Sequence, residues 1–385
     1  MMRPMKLAGN ELLFGAGALD YIKKIPEKRV FLVIGGSSMK RNGVLDKVTN
    51  LFSDNGAAVG LFEGVPSDPS FSVVWKGTEY IKEFKPDLIV GLGGGSVMDA
   101  AKTMWVYYEH PELKTLSDLL SAKSFPKLRE KSRFMCIPTT SGSASEVSRS
   151  IVISDDETGL KHGLGNMEMM PDIAICDPEV ALSMPAHITS ETGMDALTHS
   201  IESLVSNRAN YVSDVLATQA ACDIVRYLPQ AFADGENLDA RNHMMIAAMM
   251  AGLAFTNVSL GIVHSLAHTI GGFYHISHGL ADAIILPYII RYNSQAPYAD
   301  QIYKELGKKL GNEDLAELVD GLNEQLGINR TLKEIIPNEQ DFNNQKEKMA
   351  RIAKADGCTK TNPINPDEAG FAELLLDCYY GRAVR

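Results

Sequence analysis

The sequence predicts an α/β N-terminal domain followed by an all-α C-terminal domain. Up to about residue 185, short apolar runs alternate with amphipathic segments, which is the pattern of strands connected by helices. From residue 190 to about residue 326, Ala, Leu, Met and Ile recur at helical spacing and strand-like runs are few. Because a chain of 385 residues is long enough for two cores, we expect one domain over residues 1–185 and a second over residues 186–385.

Four apolar runs in the first half predict buried parallel strands. Each run is short and continuous, as expected for strands that are covered on both faces. They span residues 29–36, 57–65, 87–95 and 133–140. Between them, residues 44–55 and 72–84 have the apolar spacing of amphipathic helices. This alternation predicts a parallel sheet with helices on both of its faces.

The composition excludes several classes of protein. The net charge of −11 argues against a nucleic-acid or anionic-membrane partner, because phosphate surfaces recruit basic patches. The N-terminal residues lack the apolar region of a signal peptide, and no apolar stretch reaches the roughly 18 residues of a membrane span. Five cysteines without a CxxC pair indicate reduced thiols in a cytoplasm rather than a disulfide framework or a thiolate zinc site.

A glycine-rich turn, "VGLGGGSVMDAAK" at residues 90–102, follows the third predicted strand and opens a helix. Its glycines let the backbone approach an anion at the helix N-terminus. It is not the GxGxxG dinucleotide fingerprint, since a pattern that starts at Gly91 meets Ser96 where the last glycine belongs. Ser96 and Asp99 have the spacing of a helix cap. On these residues alone, a phosphate-binding turn and a plain tight turn both remain open.

Two further loops follow predicted strands. In "VIGGSSMKRNG" at residues 33–43, small and hydroxylated residues precede two cations, and the acidic residue that would bind the ribose 2′-hydroxyl of NAD is missing. Such a loop suits a 2′-phosphate, although an ordinary Gly/Ser loop with solvated charges is the simpler interpretation. "PTTSGSASEVS" at residues 138–148 is either a polar turn or a hydrogen-bonding surface for a cofactor.

Four of the nine histidines lie in "GIVHSLAHTIGGFYHISHG", residues 261–279. His264 and His268 are four residues apart and therefore share one face of a helix. We expect the glycine pair at residues 271–272 to loosen this helix before His275 and His278. A lone buried histidine is usually a satisfied core residue, whereas this clustering points to a shared ligand.

A second helical motif, "GMDALTHSIES", supplies a carboxylate. Asp195 and His199 are also four residues apart and share a helix face. One carboxylate and two or more imidazoles suit a divalent transition metal, although the spacing does not say which histidine is left out. A metal with N and O ligands beside a nucleotide turn indicates hydride transfer at a carbon whose oxygen the metal polarises.

Together these motifs resemble the iron-containing, metal-dependent (group III) alcohol dehydrogenase family over nearly the whole chain. The resemblance is carried by "GGGSVMDAAK", "PTTSGSASEVS", "GMDALTHSIES" and "AFTNVSLGIVHSLAHTIGGFYHISHGLADAIILP". It implies a dehydroquinate synthase-like fold, with an α/β N-terminal nucleotide-binding domain, an all-α C-terminal metal-binding domain and a metal in the cleft between them. It also implies a small-molecule alcohol or aldehyde substrate and a homodimer or larger homo-oligomer.

The resemblance assigns roles residue by residue in the helical half. The implied metal ligands are Asp195, His199, His264 and His278. His268 matches a non-ligand histidine near the nicotinamide, so it is the candidate catalytic residue that relays or positions a proton. Phe255 matches an aromatic residue near the substrate, and His275 matches no site. Fe²⁺ is the implied metal, although Zn²⁺ suits the same donors.

The resemblance also implies a cofactor site in the first half. The candidate residues are Gly93, Gly94, Gly95, Ser96 and Asp99 with Lys102 in the turn and its helix, then Thr139, Thr140, Ser143 and Lys161. NAD-using relatives have Asp where this chain has Gly36. The loop with Gly36, Ser37, Ser38 and Lys40 instead resembles that of NADPH-preferring butanol dehydrogenases and aldehyde reductases.

We therefore predict a cytoplasmic enzyme that prefers NADP(H) over NAD(H) and acts on short-chain primary alcohols and aldehydes. An NAD-dependent diol dehydrogenase of the 1,3-propanediol, lactaldehyde or glycerol type is the main alternative. A dehydroquinate-synthase-like lyase is more remote. A binding or metal-storing protein without turnover is the non-enzymatic alternative.

Overall fold

The computed structural model describes residues 5–120, 125–157, 159 and 161–384. The chain divides into two compact units, Met1–Met184 and Pro185–Arg385. The first unit contains both strands and helices, and the second is built from helices. An α/β domain followed by an all-α domain is therefore confirmed as the fold class.

Eight strands lie among the described residues of the first unit. They are β1 (Glu11–Phe14), β2 (Arg29–Ile34), β3 (Ala58–Phe62), β4 (Leu88–Gly93), β5 (Arg133–Pro138), β6 (Ser150–Ser154), β7 (Lys161–Gly165) and β8 (Ile173–Cys176). Six of them form one parallel sheet in the order β1-β8-β5-β4-β2-β3, and β6 and β7 form a separate antiparallel pair. The four strands predicted from the sequence correspond to β2, β3, β4 and β5.

Helices cover both faces of the parallel sheet. They are α1 (Ser38–Arg41), α2 (Val44–Asp54), α3 (Phe71–Phe84), α4 (Gly95–Glu109) and α5 (Leu116–Leu120). Alternate side chains of β2 point to opposite faces, so Leu32 packs in the core that contains residues of α2, and Val33 packs in the core that contains residues of α3 and α4. The apolar runs are continuous because both faces of these strands are buried.

A buried carboxylate, Glu146, lies in the loop after β5. Burial raises the pKa of Glu146 from its ordinary 4.5 to about 7, against the opposing effect of Lys102. Between these two values the folded state binds more protons than the unfolded state, so stability falls as the pH rises through this window. Well above pH 7 the carboxyl group is ionised in both the folded and the unfolded state, so its effect on the free energy of unfolding no longer changes with pH.

We expect Glu146→Gln to be more stable than the wild type above about pH 7, by up to about 3 kcal/mol, because glutamine carries no charge to desolvate. At about pH 4 the two proteins should unfold at the same denaturant concentration, since both side chains are then neutral. Urea unfolding at both pH values measures this. A stability difference that does not change with pH would contradict the assignment of a buried, titrating Glu146.

The second unit consists of nine helices in the part of the chain that is described. They are α6 (Ala186–Val205), α7 (Tyr211–Ala233), α8 (Leu238–Val258), α9 (Ile262–Tyr274), α10 (His278–Asn293), α11 (Pro297–Leu310), α12 (Leu315–Gln325), α13 (Glu339–Ala355) and α14 (Glu368–Tyr380). Short 3-10 helices in the two units span Ala18–Lys24, Ser145–Val147, Met167–Met169, Pro178–Ala181, Leu332–Glu334 and Cys358–Thr361. Helix α6 packs against α7, α8 and α10, so side chains along most of its length are buried.

The break between α9 and α10 brings the histidine-rich segment together. Contrary to the expectation of a loosened helix, α9 continues through Gly271 and Gly272 and ends at Tyr274. The next residue, His275, adopts the left-handed conformation with φ 54° and ψ 32°, which ends the helix. The chain then turns into α10, and the rings of His264 and His278 lie 5.1 Å apart.

His275 is thus a helix-ending residue with an exposed side chain. Because glycine adopts the left-handed conformation without a steric cost, we expect His275→Gly to stabilise the protein by up to about 1 kcal/mol. His275→Val should destabilise it, since β-branched residues fit this conformation worst. Urea unfolding of both variants measures the two shifts. Loss of bound metal in His275→Gly would instead show that the imidazole has a role in the histidine cluster.

Among the described residues, no single helix has both the length and the apolar character needed to cross a membrane. The pair α8 and α9 meets these criteria only when the two helices are taken together, and they are bent by 102° at their junction.

Candidate metal centre and cofactor loops

Four side chains of the helical unit converge. Asp195 of α6, His264 of α9, and His278 and Asp282 of α10 each offer one ligand atom, and these atoms all lie within 4.8 Å of one another. Three of the four are ligands predicted from the sequence. Asp282 is not among the predicted residues, although it is four residues after His278 and shares its helix face.

The fourth predicted ligand, His199, lies beside this group. Its Nε2 atom is 3.4 Å from Asp195 Oδ1, and its ring stacks on that of His264 with centroids 4.7 Å apart. Asp195 Oδ1 is also 3.6 Å from His264 Nε2 and 4.0 Å from His278 Nε2. Ligand atoms bound at about 2.0–2.2 Å to one tetrahedral ion lie about 3.3–3.6 Å apart, so this spacing is close to that of a metal site.

The hydrogen bonding of these groups also fits a cation. Asp195 Oδ1, His264 Nε2 and both carboxylate oxygens of Asp282 are buried and have no hydrogen-bond partner among the described residues. Buried polar atoms without partners are rare and costly. A divalent cation at this point would satisfy all of them at once, so the residues present fit a bound metal ion.

Glu202 orients one of the imidazoles. Its Oε2 atom lies 2.7 Å from His264 Nδ1, and its Oε1 atom accepts a 2.7 Å hydrogen bond from the backbone N–H of Val263. Because a carboxylate accepts, Nδ1 carries the proton, and the Nε2 lone pair is available to a metal. Glu202 is missing from the sequence-based predictions, although its spacing of seven from Asp195 and three from His199 places it on the same face of α6.

The imidazoles keep Asp195 ionised. Burial alone would raise the pKa of Asp195, but the charges of His199 and His264 outweigh it and hold the pKa below its usual range. Burial lowers the pKa of His278, which favours the neutral imidazole. An ionised carboxylate and a neutral imidazole are the forms that bind a metal.

Without a cation, the site holds protons. Burial raises the pKa of Asp282. Burial opposes the charged form of His264, but the carboxylates of Asp282 and Glu202 outweigh it and raise the pKa of the imidazole. Because a cation must displace these protons, metal affinity is expected to fall as the pH falls.

His268, the candidate catalytic residue, lies next to the ligands and is oriented by a carboxylate. Its ring stacks on that of His278, with centroids 5.1 Å apart and planes at 10°. Its Nδ1 atom is 3.0 Å from Asp356 Oδ2, and the N–H of Cys358 donates a 2.7 Å hydrogen bond to Asp356 Oδ1. Burial opposes ionisation of Asp356, but the hydrogen bond and charge of His268 hold its pKa low. No motif in the sequence marks Asp356, which follows His268 by 88 residues.

Phe255 of α8 lies at the edge of the same group. Its ring stacks on that of His199, with centroids 4.3 Å apart and planes at 24°. The residue is buried, so it packs as part of the core while it contacts one of the predicted ligands. The aromatic residue implied near the substrate is therefore placed beside His199.

In the first unit, two of the predicted cofactor segments lie side by side. The turn between β4 and α4 faces the loop after β5 at three pairs: Thr139 with Gly93, Thr140 with Gly94, and Ser143 with Gly95. The N–H of Thr139 donates a 3.0 Å hydrogen bond to the carbonyl of Gly93. A Cβ on Gly95 would lie 2.6 Å from Ser143 Oγ, so this close approach requires glycine.

The predicted cap of α4 by Ser96 and Asp99 is wrong. The N-cap residue of the helix is Gly94, which has no side chain to cap it, and Ser96 already lies inside the helix. The hydroxyl of Ser96 instead donates a 2.5 Å hydrogen bond to the carbonyl of Ser67, and Asp99 accepts one of 2.6 Å from the hydroxyl of Ser145. Tertiary partners have therefore replaced the local cap.

Asp99 and Lys102 connect α4 to β6 and to the loop that precedes it. Asp99 Oδ2 accepts a 2.9 Å hydrogen bond from the N–H of Val152. The buried ammonium of Lys102 donates to the carbonyls of Ser148 and Ser150, at 2.9 and 3.1 Å. Both polar groups thus hold β6 against α4.

The loop after β2 is open at the position that decides the predicted cofactor preference. A Cβ on Gly36 would meet no described atom within 4 Å, and the φ angle of this glycine is not positive. The hydroxyl of Ser37 accepts a 2.7 Å hydrogen bond from Arg41. Lys40 forms an ion pair with Glu63, and both side chains are about half exposed.

Two other candidate cofactor residues, Ser38 and Lys161, lie in different parts of the first unit. Ser38 is the first residue of α1, beside the open loop. Lys161 begins β7, and its Nζ atom lies 3.3 Å from Asp68 Oδ2. Asp68 also accepts a 2.7 Å hydrogen bond from Ser154, so Lys161 belongs to a small polar network next to the β6–β7 pair.

Comparison with known proteins agrees with this architecture. Residues 9–178 match the family model for iron-containing alcohol dehydrogenase, and residues 189–379 match that for the C-terminal part of the Fe-containing alcohol dehydrogenase family. The chain is 42% identical to the NADPH-dependent butanol dehydrogenase of Clostridium saccharobutylicum over 97% of both chains.

Two solved structures are similar to this fold. An iron-containing alcohol dehydrogenase from Thermococcus thioreducens superposes with a TM-score of 0.92 at 34% identity, over 98% of this chain and 100% of the other. A 1,3-propanediol oxidoreductase superposes with a TM-score of 0.90 at 30% identity, over 98% and 100% of the two chains.

An α/β unit with a glycine-rich turn and a helical unit with converging histidines define a metal-dependent oxidoreductase of the alcohol dehydrogenase class. The chain belongs to the iron-containing alcohol dehydrogenase family. Membership implies a divalent metal and a small-molecule alcohol or aldehyde as substrate.

Proposed function

We propose that this enzyme interconverts short-chain primary alcohols and aldehydes and prefers NADP(H) over NAD(H). The observation that carries the proposal is the set of imidazoles around Asp195 Oδ1, with separations of 3.4 to 4.0 Å. The 42% identity to an NADPH-dependent butanol dehydrogenase supports both the substrate class and the cofactor. Fe²⁺ is the proposed metal, and Zn²⁺ is the ion that the same donors would also accept.

The helical unit provides the metal site. Asp195, His199, His264 and His278 are the proposed ligands. When bound, the metal supplies Lewis-acid stabilisation of the substrate oxygen as the adjacent carbon gains or loses hydride. Glu202 contributes by fixing the tautomer of His264, and Phe255 contributes by packing against His199.

His268 is the proposed residue for proton transfer. Its Nδ1 is held by Asp356, so Nε2 is the ring nitrogen that exchanges a proton with the substrate oxygen or with solvent. Asp356 is a positioning residue, because it acts through the imidazole and fixes the orientation of its ring.

The α/β unit provides the cofactor site. The glycine-rich turn at Gly93, Gly94 and Gly95 presents the N-terminus of α4, which favours the pyrophosphate. The open loop at Gly36 and the cation of Lys40 are the proposed contacts for the 2′-phosphate. The pair between Lys40 and Glu63 is exposed, and such pairs contribute only about 0–1 kcal/mol, so a phosphate with nearly two negative charges can displace Glu63.

A second candidate function is an NAD-dependent diol dehydrogenase. The carboxylate of Glu63 favours it, since an acidic residue near Lys40 weakens the attraction for a 2′-phosphate. Similarity to a 1,3-propanediol oxidoreductase also favours it. Glu63 follows β3 and is the acidic residue that pairs with Lys40 of the loop.

The test is the initial rate of butanal reduction by enzyme loaded anaerobically with Fe²⁺, measured with NADPH and with NADH. We expect kcat/KM to be at least about 10-fold higher with NADPH, which corresponds to about 1.4 kcal/mol. A preference for NADH would contradict the cofactor proposal. Faster reduction of 3-hydroxypropanal than of butanal would favour the diol dehydrogenase.

Assembly as a homodimer or larger homo-oligomer stays a prediction, and so does a cytoplasmic location. Light scattering on purified protein measures the first. Fractionation of the source cells measures the second.

A further inference from the structure

We propose that Asp282 is a fifth protein ligand of the metal, which gives the site two carboxylates and three imidazoles. The inference deepens the metal site of the proposed function and rests on it. It concerns a residue that the sequence motifs do not identify as a ligand.

The position of Asp282 on α10 directs its carboxylate at the other ligands. It follows His278 by one helical turn, and its Oδ2 atom lies 3.2 Å from His278 Nε2. The same oxygen is 3.9 Å from His264 Nε2. Asp282 and Asp195 therefore each approach the Nε2 atoms of His264 and His278, at 3.2 to 4.0 Å. Such separations are close to those between atoms that share one ion.

The surroundings of Asp282 leave its charge without another partner. The residue is fully buried, and its helix neighbours Ala281, Ala283 and Ile284 are buried apolar side chains. Neither carboxylate oxygen accepts a hydrogen bond from any described residue. A carboxylate in such a place is stable only with a cation or with a bound proton.

A cation explains the arrangement better than a proton. A protonated Asp282 has a single O–H to donate, so it can satisfy only one of the buried atoms Asp195 Oδ1 and His264 Nε2, and the other stays without a hydrogen-bond partner among the described residues. One divalent ion satisfies all of these atoms, and its two positive charges balance the two carboxylates. The lower net charge and the additional oxygen ligand should raise the affinity of the site and favour ions that accept more than four ligands over tetrahedral Zn²⁺.

The test compares wild-type enzyme with Asp282→Asn, in which the side chain has nearly the same shape but no negative charge. Metal-free samples of both proteins are titrated with Co²⁺, and binding is followed by calorimetry and by the visible absorption of the bound ion. We expect the affinity of Asp282→Asn to be lower by about 10- to 100-fold or more. Its Co²⁺ bands should be more intense than those of the wild type, because a site with fewer ligands is closer to tetrahedral.

Asp320→Asn is the matched control. Asp320 belongs to the same unit, but its Oδ2 atom accepts a 2.6 Å hydrogen bond from Arg291 and is not among the converging ligands. The same chemical change at this position should leave Co²⁺ affinity and spectrum unchanged.

Thermal unfolding provides a second measurement that shows whether the variant folds. Without metal, Asp282→Asn should be at least as stable as the wild type, since asparagine removes a buried acid whose oxygens accept no hydrogen bond from the described residues. Co²⁺ should then raise its unfolding temperature less than it raises that of the wild type.

If Asp282→Asn binds Co²⁺ with the same affinity and the same spectrum as the wild type, the inference is overturned. Asp282 would then be identified as a neutral, protonated side chain. Failure of the wild-type enzyme to bind Co²⁺ would instead contradict the metal site of the proposed function. The two failures are therefore distinguished by the wild-type titration alone.

Discussion

His264→Ala is expected to lose its bound metal and its alcohol dehydrogenase activity. The substitution removes one ligand atom and leaves Glu202 buried without the imidazole that it contacts at 2.7 Å. Metal affinity should fall by more than about 100-fold. Turnover should fall by at least about 1000-fold, because the metal contributes several kcal/mol of transition-state stabilisation.

Metal content by mass spectrometry and the rate of butanal reduction measure these two losses. His187→Ala is the matched control, since His187 is an exposed histidine at the start of α6 and is not among the converging ligands. It should retain both metal and activity. Full activity of His264→Ala in the absence of metal would exclude the proposed site.

Gly36→Asp is expected to shift the cofactor preference from NADPH toward NADH. The side chain fits, because a Cβ at this position meets no described atom within 4 Å and the backbone is not left-handed. Its carboxylate would repel a 2′-phosphate and could accept a hydrogen bond from a ribose hydroxyl. The ratio of kcat/KM for NADPH to that for NADH should fall by about 10- to 100-fold, equivalent to about 1.4–2.7 kcal/mol.

Gly36→Asn separates charge from size at the same position. It adds a side chain of nearly the same volume without the negative charge, so it should change the cofactor ratio much less than Gly36→Asp does. An unchanged ratio in Gly36→Asp would show that this loop does not contact the 2′-phosphate.

Much of the first unit can be predicted from local patterns. The runs that became β2, β3, β4 and β5 are apolar because both faces of these strands are buried. The outer strand β1 has only four residues, none of them buried, so its sequence has no continuous buried run. Its place beside β8 depends on pairing with residues more than 150 positions away, which no local pattern encodes.

The sequence predicts those parts of the metal site whose residues lie close together along the chain. Asp195 with His199 and His264 with His268 stand out because residues four apart share a helix face. The contacts between Glu202 and His264 and between His268 and Asp356 join residues 62 and 88 positions apart, so only the packing of helices reveals them. The cap predicted at Ser96 fails for the same reason, because its hydroxyl binds the distant Ser67.

The central claim is that the helical unit binds one divalent metal on which turnover depends. The most direct test is an anaerobic titration of metal-free enzyme with Fe²⁺, in which the oxidation of NADPH by butanal is followed at each addition. The account predicts no turnover before the first addition and a rate that rises to a plateau at one Fe²⁺ per chain. Full activity before any Fe²⁺ is added, in protein shown to contain no other metal, would contradict it.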